Sequence, residues 1–230
     1  MAQRKNRIEN PTLGPSFGYS LVAQEYEHWH WFKFWQNNEK PIVQQWANSL
    51  TPGTLLDAGS GTGWYRQLLE EAGHVVISVD ISPEMLEIQR RRSPSGTLIN
   101  ADICKLPFPD SYFDYVLCTR VLSHIKSLKR VLNEFTRVTK HGARIFIADI
   151  HPEHHYTDMS VPVNGERISI ETHKHSVEEI KRSIRSPLEL ISFKEYRLED
   201  VPWKPPTQNF GNIYVALGSP IFYVAILRRI

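Results

Sequence analysis

Apolar residues in this chain fall into short runs separated by amphipathic stretches, the pattern of strands alternating with helices. Runs of strand length occupy residues 54–57, 75–79, 97–100, 114–119 and 144–149. After the first run, Trp64 to Ala72 reads as a helix closed by Gly73, the residue type that tolerates the left-handed turn past a helix end. Ser82 stands as an N-cap before Pro83, which suits a first helical position. Leu128, Leu132, Phe135 and Val138 share one face of another helix, with Gly142 just past its end. Ser176 and Glu179 form a capping box that starts a helix near Val177. Ahead of the first strand, Pro41 to Leu50 reads as a helix leading into Thr51-Pro52-Gly53, and residues 1–15 read as a weakly tied tail. The alternation predicts an α/β chain built on a doubly wound, mostly parallel sheet.

The ends of the first three strands carry the chemistry. Leu55-Leu56-Asp57-Ala58-Gly59-Ser60-Gly61-Thr62-Gly63 is an apolar run that ends in a carboxylate and then alternates three glycines. Glycines so spaced let the backbone turn sharply and let a ligand approach without meeting a Cβ. Asp57, just ahead of them, suits a cationic group. The second strand ends in Asp80, where a carboxylate binds both hydroxyls of a ribose; since Ser82 supplies the helix cap, Asp80 is free for that task. The third ends in Asn100-Ala101-Asp102-Ile103. Three carboxylates at one sheet edge make a nucleoside-shaped constellation. A nicotinamide dinucleotide fits poorly: its fingerprint spaces glycines Gly-x-Gly-x-x-Gly, the third glycine here comes one residue early, and Asp57 would repel a pyrophosphate.

These segments, continued by Val79-Asp80-Ile81-Ser82-Pro83-Glu84-Met85-Leu86, Leu106-Pro107-Phe108-Pro109-Asp110 and Phe113-Asp114-Tyr115-Val116, resemble the class I S-adenosylmethionine-dependent methyltransferases. Within that family the likeness is to the small-molecule group that includes the ubiquinone/menaquinone-biosynthesis type, and it covers roughly residues 51–150 well. The resemblance implies a Rossmann-like seven-stranded sheet with an N-terminal helical lid. It also implies a C-terminal antiparallel strand pair, for which Leu190 to Leu198 and Ile221 to Leu227 are apolar enough. It divides the chain into a tail and lid at 1–50 and an S-adenosylmethionine-binding domain at 51–230, with an acceptor-site insertion near 151–176. It implies that Asp57, Gly59, Ser60, Gly61 and Gly63 face the methionine part of the cofactor. Asp80 would take the ribose hydroxyls, Ile81 and Met85 would line the adenine, and Asp102 with the Ile103 amide would read its exocyclic amine. The stretch Thr119-Arg120-Val121-Leu122-Ser123-His124 falls where the family places residues near the methyl donor. Tyr19 and Tyr26, seven residues apart on one helical face, match its cofactor-covering lid.

Composition narrows the partners. Lys and Arg number 27 against 25 acidic residues, a formal charge of +2 over 230 residues, which makes no electrostatic case for nucleic acid or an anionic membrane. The basic start Arg4-Lys5-Asn6-Arg7 reads as a solvated tail. No apolar run approaches the roughly 20 residues of a membrane span, and Met1 to Gly14 is too polar for a secretory leader. Cys104 and Cys118 suit a reducing compartment, so the expectation is a cytoplasmic protein, monomer or homodimer, acting on a small molecule.

Methyl transfer needs positioning, desolvation and, for an acceptor such as a phenol (pKa ~10), a base. His151, leaving the fifth strand, is the first candidate, and His124 is the second; His124 serves equally well to hold its loop through a backbone carbonyl. The run His151-Pro152-Glu153-His154-His155 matches no structural zinc spacing, so no metal is expected. His173 and His175 would share a face if they lay on a strand. Trp29, Trp31, Phe32 and Trp35 either wall an acceptor pocket or back the lid, and they favour a flat or apolar acceptor, with O- or N-transfer ahead of C-transfer. The alternative from another class is an S-adenosylmethionine-binding protein that transfers nothing, a regulatory subunit or a cyclase using the sulfonium as a fixed charge. His141-Gly142-Ala143 departs from the family's double glycine, and Pro152 to His175 and Pro202-Trp203-Lys204-Pro205-Pro206 match nothing specific.

Overall fold

The computed structural model describes residues 11–154, 159–163, 166–204 and 218–230. The tail through Asn10 with its basic cluster, His155, and Pro205-Pro206 lie outside the described residues.

The chain opens with a short strand β1 (Thr12–Leu13), helix α1 (Pro15–Val22), a 3-10 turn at Tyr26–His28 and a long helix α2 (His30–Asn48). Strand β2 (Thr54–Ala58), helix α3 (Arg66–Glu71), strand β3 (Val75–Asp80), helix α4 (Pro83–Arg92) and strand β4 (Thr97–Asn100) follow. Strand β5 (Phe113–Thr119), a 3-10 turn at Leu122–His124, helix α5 (Leu128–Val138) and strand β6 (Thr139–Ile150) complete the alternating part. Strands β7 (Met159–Val163) and β8 (Glu166–Ile170), helix α6 (Val177–Ser183), and strands β9 (Leu188–Arg197) and β10 (Pro220–Arg229) end it.

Seven strands form one sheet in the order β4-β3-β2-β5-β6-β10-β9. The first five are parallel, and β10 runs antiparallel between β6 and β9. Chain order reverses between β2 and β5, so the loops after these strands diverge and leave a crevice at their carboxyl ends. Alternation of side chains divides the core. Leu56, Val116, Ile145 and Ile147 pack with α5 on one face, while Leu55, Leu117, Phe146 and Ala148 pack with α2 and α3 on the other. Strands covered on both faces need the near-continuous apolar runs seen in the sequence.

Three expectations change. Helix α2 begins eleven residues before Pro41 and passes through it, because the buried side chains of Phe34, Trp35, Val43 and Trp46 hold both halves to the core. That packing outweighs the roughly 3 kcal/mol an interior proline costs. Gly142 does not end α5: that helix stops at Val138, and Gly142 lies inside β6 with φ +81°. There β6 bulges, since Phe113 pairs with Thr139 but Tyr115 with Arg144. The tail is tied in sooner than predicted, for Thr12 and Leu13 pair with Ser169 and Ile170 in a small separate sheet, β1-β8-β7. Helix α1 packs on that sheet through Val22, and its Gly18 passes so near that a Cβ would stand 2.9 Å from Ile170 Cγ1.

Candidate active site

A cavity of about 580 Å³ fills the crevice. The loop after β2 lines it with Gly59, Ser60, Gly61 and Thr62, and the loop after β3 with Asp80 and Ile81. Met85 of α4, then Asp102, Ile103 and Cys104 after β4, and Thr119, Arg120 and Val121 after β5 continue the wall. Tyr19, Tyr26 and Phe32 close it from the amino-terminal side.

The glycine loop is fixed from below. Gly59 and Ser60 donate their amides to the Val79 carbonyl at 2.8 and 3.0 Å. Gly59, Gly61 and Gly63 all have positive φ, at +76°, +54° and +77°. A Cβ on Gly59 would meet Val121 Cγ2 at 2.2 Å and one on Gly63 would meet Gln89 Cγ at 2.3 Å, whereas one on Gly61 would meet no protein atom within 4 Å. Gly63 therefore serves packing and does not line the cavity, and Gly61 borders open space. The Asp80 carboxylate accepts from the Gly61 amide (2.7 Å) and the Ser82 amide (2.9 Å), and so ties the loop to the start of α4. Ser82 caps α4 by accepting from the Met85 amide. Burial raises the Asp80 pKa, opposed by those amide donors. Asp102, exposed, accepts from the Cys104 amide at 2.8 Å.

Asp57 lies behind the loop, outside the cavity lining, with 2% of its surface exposed. Its Oδ2 has no hydrogen-bond partner among the described residues. Burial first, then the neighbouring Asp80 charge, pushes its pKa up to about 7 against the pull of Arg66. An orphaned buried carboxyl oxygen, a glycine whose Cβ space is open, and the apolar Ile81, Met85 and Ile103 fit a nucleoside bearing a cationic arm.

Tyr19 and Tyr26 do not share a helix, since α1 ends at Val22 and Tyr26 opens the following 3-10 turn. Their rings nevertheless meet edge to face, with centroids 6.0 Å apart. The Tyr19 hydroxyl lies 2.7 Å from His124 Nε2, and His124 Nδ1 lies 2.7 Å from the Glu171 carbonyl. A carbonyl only accepts, so Nδ1 carries the proton and Nε2 accepts from Tyr19. Desolvation lowers the His124 pKa, opposed by the Glu171 carbonyl and Asp149. Desolvation raises that of Tyr19 well above 10. Asp149 is buried and held by the Ser123 amide (2.8 Å) and hydroxyl (3.0 Å) and the Ile150 amide (2.7 Å).

His151, the first sequence candidate for a base, is not brought to the cavity. It is fully buried, its Nε2 donating to Glu195 Oε1 at 2.8 Å and its Nδ1 accepting from the Glu153 amide at 3.2 Å. With both nitrogens engaged by β9 and its own turn, it holds the sheet edge to the loop. His173 and His175 lie on no strand; the His173 amide donates to the Ser123 carbonyl and His175 Nε2 to the Ile125 carbonyl. Among the described residues no group of three His, Cys, Asp or Glu side chains is placed to hold a metal ion, and no helix is long and apolar enough to cross a membrane. The sequence assigned no role of their own to Thr62, Tyr65 and Arg120, although Thr62 lies in the glycine loop and Arg120 in the strand-end stretch from Thr119 to His124.

Residues 56–147 match the family model described as a methyltransferase domain. That segment has the sequence of a methyltransferase domain. Malonyl-[acyl-carrier protein] O-methyltransferase of Erwinia pyrifoliae is 35% identical over 96 residues, 42% of this chain and 37% of that protein. Demethylmenaquinone methyltransferase of Renibacterium salmoninarum is 36% identical over 108 residues, 46% of each chain. The matched part thus spans less than half the length of these relatives. An S-adenosylmethionine-dependent methyltransferase from Mesorhizobium loti shares the fold, with a TM-score of 0.60 over 77% of this chain and 91% of that one, at 20% identity.

Proposed function

We propose that the protein transfers a methyl group from S-adenosylmethionine to a small, flat or apolar acceptor, at oxygen or nitrogen. The observation that carries the reading is the Tyr19–His124 pair, set beneath the lid at the edge of a glycine-lined cavity. When bound, the cofactor supplies an activated methyl, whose bond electrons return to sulfur as the acceptor's lone pair takes the carbon. In this reading residues 1–50 act as a lid on the domain at 51–230, and the insertion near 151–176 helps shape the acceptor site. Asp57, buried behind the loop, faces the methionine arm and favours its cationic amino group through its charge. Gly59, Ser60 and Gly61 make room for that arm, with Gly63 packed behind them. Asp80 takes the ribose hydroxyls, Ile81 and Met85 flank the adenine, and Asp102 with the Ile103 amide reads its edge. Thr119 and Tyr26 border the transferring group.

His124 is the base. Its proton-bearing Nδ1 is anchored on Glu171, so the Nε2 lone pair is the basic site, reached through the Tyr19 hydroxyl that donates to it. His151 is left a structural part. The relatives named for malonyl-[acyl-carrier protein] and demethylmenaquinone are compatible with an acceptor of this kind. The free thiols of Cys104 and Cys118 agree with a cytoplasmic protein.

The test is transfer of a labelled methyl group to a panel of phenols and aryl amines. His124→Ala lowers kcat by roughly 10²- to 10⁴-fold while S-adenosylhomocysteine still binds. Because the folded protein holds the His124 pKa below its ordinary 6.5, the base stays neutral through mildly acid pH. The rate therefore falls only as pH drops past that lowered pKa, and Tyr19→Phe, which removes a donor to the neutral form, shifts the fall to higher pH. Wild-type rates in His124→Ala would remove the histidine from the chemistry.

A further inference from the structure

A second hollow of about 70 Å³ adjoins the large cavity, and the two share Tyr19, Tyr26, Phe32, Arg120 and His124 as walls. Trp29, Trp31 and Trp35 close its far side, with Ile150, Ser123 and His154. A hollow lined by so many ring faces ordinarily attracts a cation, because each face carries partial negative charge. Here that position is already filled. The Arg120 guanidinium lies 5.3 Å from the ring centre of Trp35 and 5.8 Å from that of Tyr65. Its charge is met by Glu39 of α2, which is fully buried and also accepts from the Tyr65 hydroxyl at 2.5 Å. The backbone of Arg120 is left-handed, at φ +57°, a conformation costly for a side chain of this kind. Arg120 Nε and Glu39 Oε1 are buried with no hydrogen-bond partner among the described residues.

We propose that Arg120 sets acceptor specificity: it occupies the cation position of the aromatic hollow, so that the site takes a planar hydroxyl compound, a phenol or an enol, and rejects amines that are protonated at neutral pH. An alkylammonium ion entering the hollow would meet a like charge in a poorly solvated place, with the compensating carboxylate already paired. A phenol meets no such charge. Its ring lies against the tryptophan faces, its oxygen accepts from the unpartnered Arg120 Nε–H, and its proton reaches His124 Nε2 through the Tyr19 hydroxyl that donates to that nitrogen. The inference rests on the methyl-transfer reading for the purpose of the hollow, though not for what the hollow binds. It removes alkylammonium ions from the range of acceptors.

The test is calorimetric binding of 4-ethylphenol and of 2-phenylethylammonium to the full chain, with and without S-adenosylhomocysteine. The wild-type protein should bind the phenol at least about tenfold more tightly than the ammonium. Arg120→Gln should invert that order, because the unpaired Glu39 carboxylate then draws a cation to the vacated place over Trp35. The double variant Glu39→Gln/Arg120→Gln leaves a neutral hollow, so its preference should fall to near parity; it decides the matter if Arg120→Gln alone does not melt cooperatively. Equal or tighter binding of the ammonium by the wild type, or an unchanged ratio in a folded variant, overturns the inference. Failure of S-adenosylhomocysteine to bind overturns the methyl-transfer reading instead, and leaves the measured phenol-to-ammonium ratio to judge Arg120 by itself.

Discussion

Gly59 and Gly61 both need a positive φ, yet substitution separates their roles. Alanine at either carries roughly 1–2 kcal/mol of left-handed strain. At Gly59 the new methyl also strikes Val121, so Gly59→Ala should lose about 3 kcal/mol or more of stability in denaturant unfolding. Gly61→Ala should lose only about 1 kcal/mol, yet weaken S-adenosylhomocysteine binding more than about tenfold, because its methyl stands in the space kept for the ligand. A Gly61→Ala protein that binds normally would place the ligand elsewhere. Asp57 offers a second test. Its raised pKa means that folding stability linked to it is fully present below the ordinary 3.8 and is lost as pH rises from there through about 7. A cationic ligand arm beside it favours the carboxylate, so binding at pH 6 should release close to one proton. Titrations in buffers of different ionisation enthalpy measure that release, and it should vanish in Asp57→Asn. At this scale the sequence was legible where function is local: the glycine spacing, Asp80 and Ser82 all act within a few residues. It was not legible where partners lie far apart. Tyr19 meets His124 across 105 positions and Arg120 meets Glu39 from another part of the fold, so the residues drew notice singly but nothing in their neighbourhoods announced the pairs. His151 drew notice by its place at a strand end, but its burial depends on Glu195, a neighbour from another strand.

Among the elements, the lid is held by few and identifiable contacts. Glu27, in the 3-10 turn that carries Tyr26, receives both terminal nitrogens of Arg92 at the end of α4, at 2.5 and 2.7 Å, and the Thr62 hydroxyl from the glycine loop. Helix α1 adds the Ser16 hydroxyl on the Ile81 carbonyl and the Ser20 hydroxyl against that of Ser82. These contacts tie α1 and the turn to the loops after β2 and β3 that line the cavity. Arg92 is partly exposed, so Arg92→Ala should change global stability by under about 1 kcal/mol. It should nevertheless speed dissociation of S-adenosylhomocysteine several-fold, measured by stopped-flow displacement. An unchanged off-rate would show that the turn does not gate the site. The elements themselves were largely readable, since strand runs and the Ser176–Glu179 capping box are local signals. The small sheet was not: β1 holds two residues, too few for any periodicity, and gains its place only from β8.

At the scale of the molecule, the reversal of strand order between β2 and β5 is what brings three carboxylate-bearing strand ends, the lid and the His124 turn around one crevice. The antiparallel β10 and β9 extend the sheet away from that crevice and bury Phe222 and Tyr223, stacked on Tyr196 and Phe193. The whole arrangement is suited to one nucleoside with a cationic arm, and poorly suited to a dinucleotide, whose pyrophosphate would approach Asp57 and Asp80. The most direct measurement is calorimetric titration of the purified protein with S-adenosylmethionine, S-adenosylhomocysteine and NADH in parallel. The account predicts one site per chain of micromolar affinity for both sulfur nucleosides and no heat from NADH. Silence from both sulfur nucleosides, or preferential binding of NADH, would contradict it.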